Sequence, residues 1–227
     1  MRAVYTPCEA GPTGFSHHCD APVPFGLTPS ICFAAEPVTQ KEIMTDTHIL
    51  FQPVEFDNLS LKNRIVMAPM TRSFSPGNVP GEDVAAYYRR RAEGEVGLIL
   101  TEGVSTNETT ATGTPNVPNI VTDAAKAGWK KVVEGVHEAG GKIGIQLWHE
   151  GPFRNPKNTS HPDVPSWSAS GVKTADKQLW NPMSESEIET AITEFVDAAV
   201  AAKDLGFDAV EFHGAHSYLI DSFFWDQ

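Results

Sequence analysis

The chain has 227 residues, of which 41% are hydrophobic and 20% are charged, a composition typical of a globular protein with one buried core. Its net charge of −12 argues against a nucleic-acid partner and against an anionic membrane surface as a partner. No run of residues approaches the ~20 consecutive apolar positions that a membrane-spanning helix needs.

The first 43 residues differ from the rest of the chain. They are rich in proline and glycine, show no periodicity, and lack the basic and apolar segments of a signal peptide. Patterned sequence begins just after Met44. We therefore predict a disordered leader, or an over-long start, over 1–43 and a folded domain over 44–227. A metal-binding tail that uses His17, His18 and the nearby cysteines is the less favoured alternative.

All three cysteines lie in this first segment, at Cys8, Cys19 and Cys32. Their spacing matches no zinc site, and their odd number does not indicate a disulfide framework. Because the predicted folded domain contains no cysteine, we expect a cytoplasmic protein without disulfide bonds.

The folded part opens with a hairpin, followed by two apolar strands with a helix between them. In chain order these are a hairpin at 50–62, a strand at 64–71, a helix at 82–93 and a strand at 97–103. Asp57 and Asn58 supply the turn of the hairpin, and Gly94 ends the helix. A polar loop then continues to Pro118.

Two more helices and two more strands complete the pattern. A helix at 123–139 and a strand at 142–149 come first, and a long loop at 151–183 follows. The next helix begins with a capping box, Ser184 and Glu187, and ends at Gly206 before a strand at 207–213. Helical spacing predicts the buried stripes of the two helices as Trp129, Val132, Val133 and Val136, and as Ile188, Ile192, Phe195 and Ala199.

This alternation of apolar strands and helices predicts a parallel sheet covered by helices. Long polar loops follow the strand ends, and no Gly-x-Gly-x-x-Gly motif follows a first strand, so a (β/α)₈ barrel is favoured over a doubly wound sheet. Only about four βα units are present. We therefore predict an incomplete barrel of the TIM type.

Polar side chains follow the carboxyl end of every predicted strand. Thr71, Gln146, His213, His216 and Tyr218 are the most informative of them. A threonine hydroxyl and a glutamine amide can hold a planar heterocycle, and two histidines with a tyrosine can bind an oxyanion and donate a proton. Each signal is weak alone, and the agreement of four successive strand ends gives them weight.

The segment from about residue 50 to the last residue resembles the N-terminal half of the old yellow enzyme family, the FMN-dependent NADH:flavin oxidoreductases and ene-reductases. The resemblance rests on four motifs in order, at residues 63–72, 97–103, 146–149 and 210–224. It implies FMN as the cofactor, NAD(P)H as the reductant and an activated alkene as the substrate. For the flavin, it implies contacts from Pro69, Met70, Thr71, Gly103 and Gln146.

For the substrate, the resemblance implies that His213 and His216 bind the carbonyl or nitro oxygen and that Tyr218 supplies the proton. Position 71 carries threonine, which resembles one branch of the family, whereas another branch has cysteine at this position. Ser217 departs from the glycine that is usual between the second histidine and the tyrosine.

The resemblance also implies later βα units, which carry the FMN phosphate site and which this sequence does not contain. A sheet of four strands does not close into a barrel, so its two outer edges are unpaired and part of its apolar surface stays exposed to water. We therefore expect that the chain alone does not form a stable holo-flavoprotein, and that a second chain could complete the barrel.

Two alternatives stay open. One is a metal-dependent barrel hydrolase with Glu211, His213 and His216 as ligands, although no further ligand is well placed in the sequence. The other is a non-catalytic half-barrel that binds a partner.

Overall fold

The computed structural model describes residues 48–174, 177–178 and 180–224. The leader predicted over 1–43 lies outside the described residues and stays a prediction. The strands, in chain order, are β1 (Val54–Phe56), β2 (Leu59–Leu61), β3 (Val66–Met67), β4 (Leu98–Ser105), β5 (Ile143–Trp148), β6 (Val172–Thr174), β7 (Lys177–Gln178) and β8 (Ala209–Phe212). The α-helices are α1 (Glu82–Glu93), α2 (Asp123–Glu138) and α3 (Glu185–Leu205).

The N-terminal hairpin forms as the sequence predicts. β1 and β2 pair antiparallel, with Phe56 opposite Leu59. Asp57 takes a positive φ of 42° at the turn, a conformation that aspartate tolerates better than most residues. A short 3-10 helix, His48–Phe51, precedes the hairpin.

Four strands form one parallel sheet in the order β3-β4-β5-β8. All six residues of β5 are buried, which is the pattern of a strand covered on both faces. β3 is only two residues long, much shorter than the apolar run at 64–71. The chain leaves the sheet there because Pro69 has no N–H to donate to a ladder.

The helices begin and end where capping chemistry places them. The Thr122 side chain accepts a hydrogen bond from the Ala125 N–H at the start of α2. At the start of α3, Ser184 and Glu187 form the predicted capping box, and Gly206 ends that helix at a φ of +91°. Such a positive φ suits glycine, which has no Cβ to clash with the backbone.

The core lies between the central strands and the helices. The predicted stripe of α2 is buried, and the Trp129 ring lies 5.8 Å from the Phe207 ring and 6.5 Å from the Tyr88 ring. The predicted stripe of α3 is only partly correct, because Ile192 is exposed. Its buried side consists of Ala191, Phe195, Ala198 and Ala202.

The sheet does not close. Within the described residues, β3 and β8 each pair on one side only, so both outer edges are bare. Three βα units and a fourth strand are present, and β8 is followed by a 3-10 turn, Asp221–Phe223. This arrangement agrees with the predicted incomplete barrel. The small β6–β7 hairpin inside the loop at 151–183 was not predicted.

No helix in the part of the chain that the structure describes is both long enough and apolar enough to cross a membrane.

Candidate active site

A cavity of about 450 Å³ opens at the carboxyl ends of β3, β5 and β8, where a parallel α/β protein normally carries its site. Six of the eight predicted site residues line it: Pro69, Thr71, Gln146, His213, His216 and Tyr218. The other lining residues are Ala68, Trp148, Glu211, Gly214 and Ala215.

Two predicted site residues do not line the cavity. Met70 is exposed to solvent. Gly103 lies within β4 against the Trp148 indole, and a Cβ at that position would lie 2.6 Å from the ring. The absence of a side chain at position 103 therefore lets Trp148 pack closely against β4, and a role of Gly103 toward a ligand stays a prediction.

Thr71 is held in place through its neighbour Arg72. The Arg72 backbone N–H donates to Glu102 Oε2 at 3.1 Å, and the Arg72 guanidinium donates to Glu102 Oε1 at 2.9 Å. Glu102 is fully buried, and its own N–H donates to the Tyr88 hydroxyl at 2.8 Å. A charged, two-point contact of this kind fixes the backbone beside Thr71 at the cavity rim.

Gln146 is fixed at both its backbone and its side chain. Its N–H donates to Thr101 Oγ1 at 3.1 Å, and its side-chain Nε2 donates to Glu211 Oε1 at 3.2 Å. Gln146 and Glu211 are register partners on the neighbouring strands β5 and β8. The amide is therefore placed on the floor of the cavity in one orientation.

The three residues predicted to act on the substrate form one cluster. The His213 ring lies 4.9 Å from the Tyr218 ring and 5.2 Å from the His216 ring, while His216 and Tyr218 are 6.3 Å apart. Trp148 supports the cluster, because its ring stacks on His213 at 6.4 Å and meets Tyr218 edge-on at 5.1 Å. These distances bring two imidazoles and a phenol within reach of one small molecule.

The turn that carries this cluster has an unusual backbone. His216 and Ser217 both have positive φ, at 59° and 63°. The conformation is stabilised by the Ser217 N–H, which donates to Asp221 Oδ2 at 2.6 Å, and by the Tyr218 N–H, which donates to the Ala215 carbonyl at 3.3 Å. The φ of Ser217 gives a physical reason why glycine is favoured at this position.

The electrostatics favour the neutral forms of His213 and Tyr218. Burial lowers the pKa of His213, the adjacent His216 lowers it further, and Glu211 acts in the opposite direction. Burial raises the pKa of the Tyr218 hydroxyl, and the Glu150 carboxylate adds to this effect. At neutral pH, His213 is therefore an uncharged hydrogen-bond donor and Tyr218 retains its proton.

Sequence reasoning missed the two buried acids that support the site. Glu150 accepts hydrogen bonds from Thr112 Oγ1 at 2.8 Å and from the N–H groups of Gly113 and Thr114 at 2.7 and 3.1 Å. Glu102 makes the contacts to Arg72 described above. Each of these carboxylates lies inside or next to an apolar strand. This position could have indicated a buried acid with hydrogen-bond partners, because a buried charge requires partners.

His149 is a structural residue. It is fully buried, its Nδ1 accepts from the Gly151 N–H at 3.0 Å, and its ring stacks on Trp167 at 5.7 Å. Burial lowers the pKa of His149 to about 3, and the positive charge of Arg154 contributes. This histidine is therefore neutral at physiological pH.

The hydrolase alternative gains no support from the structure. Within the described residues, no three histidine, cysteine or acidic side chains come together in a way that could hold a metal ion. Glu211, His213 and His216 share the cavity, but they do not form such a group.

Comparison with known proteins decides the family. The model of the NADH:flavin oxidoreductase / NADH oxidase family matches residues 49–227. The chain belongs to this family. The match confirms the resemblance to the old yellow enzymes that the four motifs indicate, and with it the incomplete barrel of the TIM type.

Curated relatives from plants and from a fungus match this chain. The chain is 35% identical over 196 residues to the putative 12-oxophytodienoate reductase 11 of Oryza sativa subsp. japonica, a match that covers 81% of this chain and 52% of the relative. It is 40% identical over 181 residues to a chanoclavine-I aldehyde reductase of Penicillium roqueforti, and this match covers 78% of this chain and 48% of the relative. The chain thus spans about half the length of the curated relatives it matches.

Solved structures of the family share this half of the fold. Morphinone reductase aligns with a TM-score of 0.68 and 37% identity, over 75% of this chain and 49% of that chain. The old yellow enzyme from Pichia sp. AKU4542 aligns with a TM-score of 0.70 and 34% identity, over 76% and 47%. Family members use FMN with NAD(P)H as the reductant, and one morphinone reductase structure contains tetrahydroNAD.

Proposed function

We propose that this member of the NADH:flavin oxidoreductase family is an FMN-dependent ene-reductase. It would pass hydride from NAD(P)H through FMN to an activated alkene, which is an α,β-unsaturated carbonyl or nitro compound. The observation that carries the proposal is the cluster of His213, His216 and Tyr218, whose rings lie 4.9–6.3 Å apart beside Gln146 and Thr71 in one cavity.

The cavity has the chemistry that a flavin ring needs. Its volume of about 450 Å³ lies in the ~300–1,000 Å³ range of small-molecule sites. Ala68, Pro69 and Trp148 supply apolar surface, and the Gln146 amide and Thr71 hydroxyl supply hydrogen-bonding groups. We propose that, in this cavity, Pro69, Thr71 and Gln146 hold the flavin, which supplies hydride transfer when bound, while the contacts predicted for Met70 and Gly103 would have to come from outside the cavity lining.

The histidine pair would bind the oxygen of the alkene's activating group. Neutral imidazoles donate N–H hydrogen bonds, and His213 is kept neutral by its lowered pKa. As negative charge develops on the substrate oxygen, two donors fixed beforehand stabilise that charge without reorganising. The Trp148 ring stacked on His213 keeps the imidazole in one orientation.

Tyr218 would complete the reaction as the proton donor. Its raised pKa keeps the hydroxyl protonated at neutral pH. The hydroxyl would donate its proton to the carbon next to the activating group, while hydride adds to the carbon beyond it. Orientation of the two partners across one cavity is the main catalytic contribution of the protein.

We also propose that a second chain carrying the remaining strands of the barrel pairs with β3 and β8. Support comes from the two bare sheet edges and from exposed apolar side chains, among them Val66, Phe212 and Phe224. Hydrogen exchange tests the pairing. In the isolated chain, the β8 amides that point away from β5 should exchange freely, and protection of these amides would contradict the proposal.

We also propose the cytoplasm as the location of this protein, because residues 44–227 contain no cysteine.

Turnover of a cyclic enone tests the reaction, measured with the full chain, NAD(P)H and an excess of FMN so that a weakly held flavin still occupies the site. Tyr218→Phe should lower the rate by about 10²–10⁴-fold, because it removes the proton donor and leaves the ring in place. Tyr87→Phe, which removes a hydroxyl outside the cavity, is the matched control and should keep the rate. Equal rates for Tyr218→Phe and the unmodified chain would contradict the role of Tyr218.

A further inference from the structure

Glu211 lines the cavity and contacts Gln146, but the roles above assign it no part in binding the flavin or the alkene. It lies on β8 two positions before His213, which follows the end of the strand, and both residues line the cavity. It is the only acidic residue that lines the cavity, and no lysine or arginine lines it within the described part of the chain. A carboxylate in such a place dominates the local charge.

The chemistry of the carboxylate decides which end of the Gln146 amide faces it. An ionised carboxylate only accepts hydrogen bonds, so the group opposite Glu211 Oε1, at 3.2 Å, is the NH₂ end of Gln146. The carbonyl end of the amide is therefore directed away from Glu211. Without the acid, a glutamine side chain could turn its amide by half a rotation at little cost.

The second oxygen of Glu211 adds an independent observation. Oε2 is buried and has no hydrogen-bond partner within the described residues. A buried carboxylate oxygen without a partner is costly, and such groups are retained where a site needs their charge or their acceptor. Its position at the edge of the cavity directs that charge toward whatever the cavity holds.

We propose that Glu211 is a positioning residue, which sets the orientation of the Gln146 amide and places a negative charge beside the bound flavin. This inference rests on the proposed function for its second half only. A flavin gains negative charge when it is reduced, so a fixed anion nearby disfavours the reduced form. Glu211 would therefore lower the reduction potential of the flavin and favour its reoxidation by the alkene.

The first experiment needs no flavin. In the full chain without cofactor, the side-chain NH₂ signals of Gln146 are assigned by NMR through their disappearance in Gln146→Leu. Glu211→Gln should shift these signals, because the neutral amide both donates and accepts. Glu189→Gln, which removes the same charge from the exposed side of α3, should leave them in place. Unchanged signals in Glu211→Gln would overturn the positioning role, whatever the protein binds.

The second experiment uses FMN. Glu211→Gln should raise the FMN dissociation constant about tenfold, in line with loss of a charged hydrogen bond, and should move the flavin potential to more positive values. The effects of Glu211→Gln and Gln146→Leu on FMN affinity should not add, because one acts through the other. A merely structural role would lower thermal stability without moving the potential.

The outcomes separate the two proposals. An unchanged potential in Glu211→Gln, with FMN bound by both proteins, overturns the charge role and leaves the proposed function standing. Binding of FMN to the chain alone is expected to be weak, so the complete absence of binding at the highest soluble FMN concentration overturns the assignment of this cavity as the flavin site, and with it the proposed function and the charge role. The NMR result then still decides whether Glu211 orients Gln146.

Discussion

The central strands of the sheet, β4 and β5, and its β8 edge differ in how completely they are packed. We call the first the packed side and the second, with the exposed face of α3, the open side. β4 and β5 have strand neighbours on both sides and are covered by α1 and α2, so their side chains form a closed core. β8 has a neighbour on one side only, and α3 next to it leaves large apolar side chains in solvent. The exposed fractions of Ile192, Val196 and Val200 are 58%, 54% and 52%.

This difference separates stability from chemistry. The packed side holds Trp129, Tyr88 and the buried acid Glu102, which together stiffen the strands. The open side carries His213, His216 and Tyr218 on a turn with positive φ at two residues. Function is commonly placed on such loops, which a rigid scaffold positions.

The largest expected effect contrasts a buried with an exposed apolar side chain. Trp129→Ala should lower the free energy of unfolding by about 3–5 kcal/mol, because it opens a cavity in the core and removes a hydrogen bond from Nε1 to the Asn119 carbonyl. Ile192→Ala on the open face should cost less than about 0.5 kcal/mol. Urea unfolding followed by circular dichroism measures both.

Similar losses for the two variants would contradict the comparison. They would mean that the open face of α3 is buried in solution, either by a second copy or by a partner. Sedimentation velocity on the same samples separates that outcome from simple destabilisation.

A second prediction concerns the loss of stability at acidic pH. The pKa of His149 is about 3 in the folded protein, against about 6.5 in an unfolded chain. Between these values only the unfolded state binds the proton, so stability falls as the pH decreases below about 6.5. The loss is about 1.4 kcal/mol per pH unit, or about 2 kcal/mol between pH 7 and pH 5.

Urea unfolding at several pH values measures this slope. His149→Gln removes the titrating ring and should make the slope shallower, although the lowered pKa of His213 leaves part of it in place. An equally steep slope in His149→Gln would show that another group drives the acid response.

The smallest expected effect lies on the open side. Ser217→Gly should raise the free energy of unfolding by about 0.5–1 kcal/mol, because relief of the positive φ of 63° outweighs the extra freedom of glycine in the unfolded chain. Ser186→Gly, inside α3, should instead destabilise the protein. Thermal unfolding compares the two variants, and destabilisation by Ser217→Gly would contradict the described turn.

The regular elements were predictable because their signals are local. The capping box at Ser184 and Glu187 and the glycine after α3 mark its ends within a few residues. The inward face of α3 was predictable only in part. Phe195 is buried as predicted, whereas Ile192 is exposed, because apolar residues occur on several faces of this helix and its closest contacts are made by alanines. The β6–β7 hairpin escaped notice because its residues, such as Lys177 and Gln178, are not typical of strands.

For the site, the strand ends were predictable and the supports were not. Thr71, Gln146 and the histidine cluster follow from the rule that parallel strands present their carboxyl ends at one edge. The contact of Arg72 with Glu102 joins residues 30 positions apart, and only the tertiary fold brings them together. No local pattern in the sequence encodes such a pair.

Titration of FMN against the full chain tests the central claim most directly, with quenching of flavin fluorescence as the signal. Because the FMN phosphate site is expected in βα units outside this sequence, we predict weak but saturable quenching, which Gln146→Leu weakens further and Glu189→Gln leaves unchanged, since Gln146 lines the cavity and Glu189 does not. No saturable quenching, or quenching that Gln146→Leu does not affect, would contradict the assignment of this cavity as the flavin site.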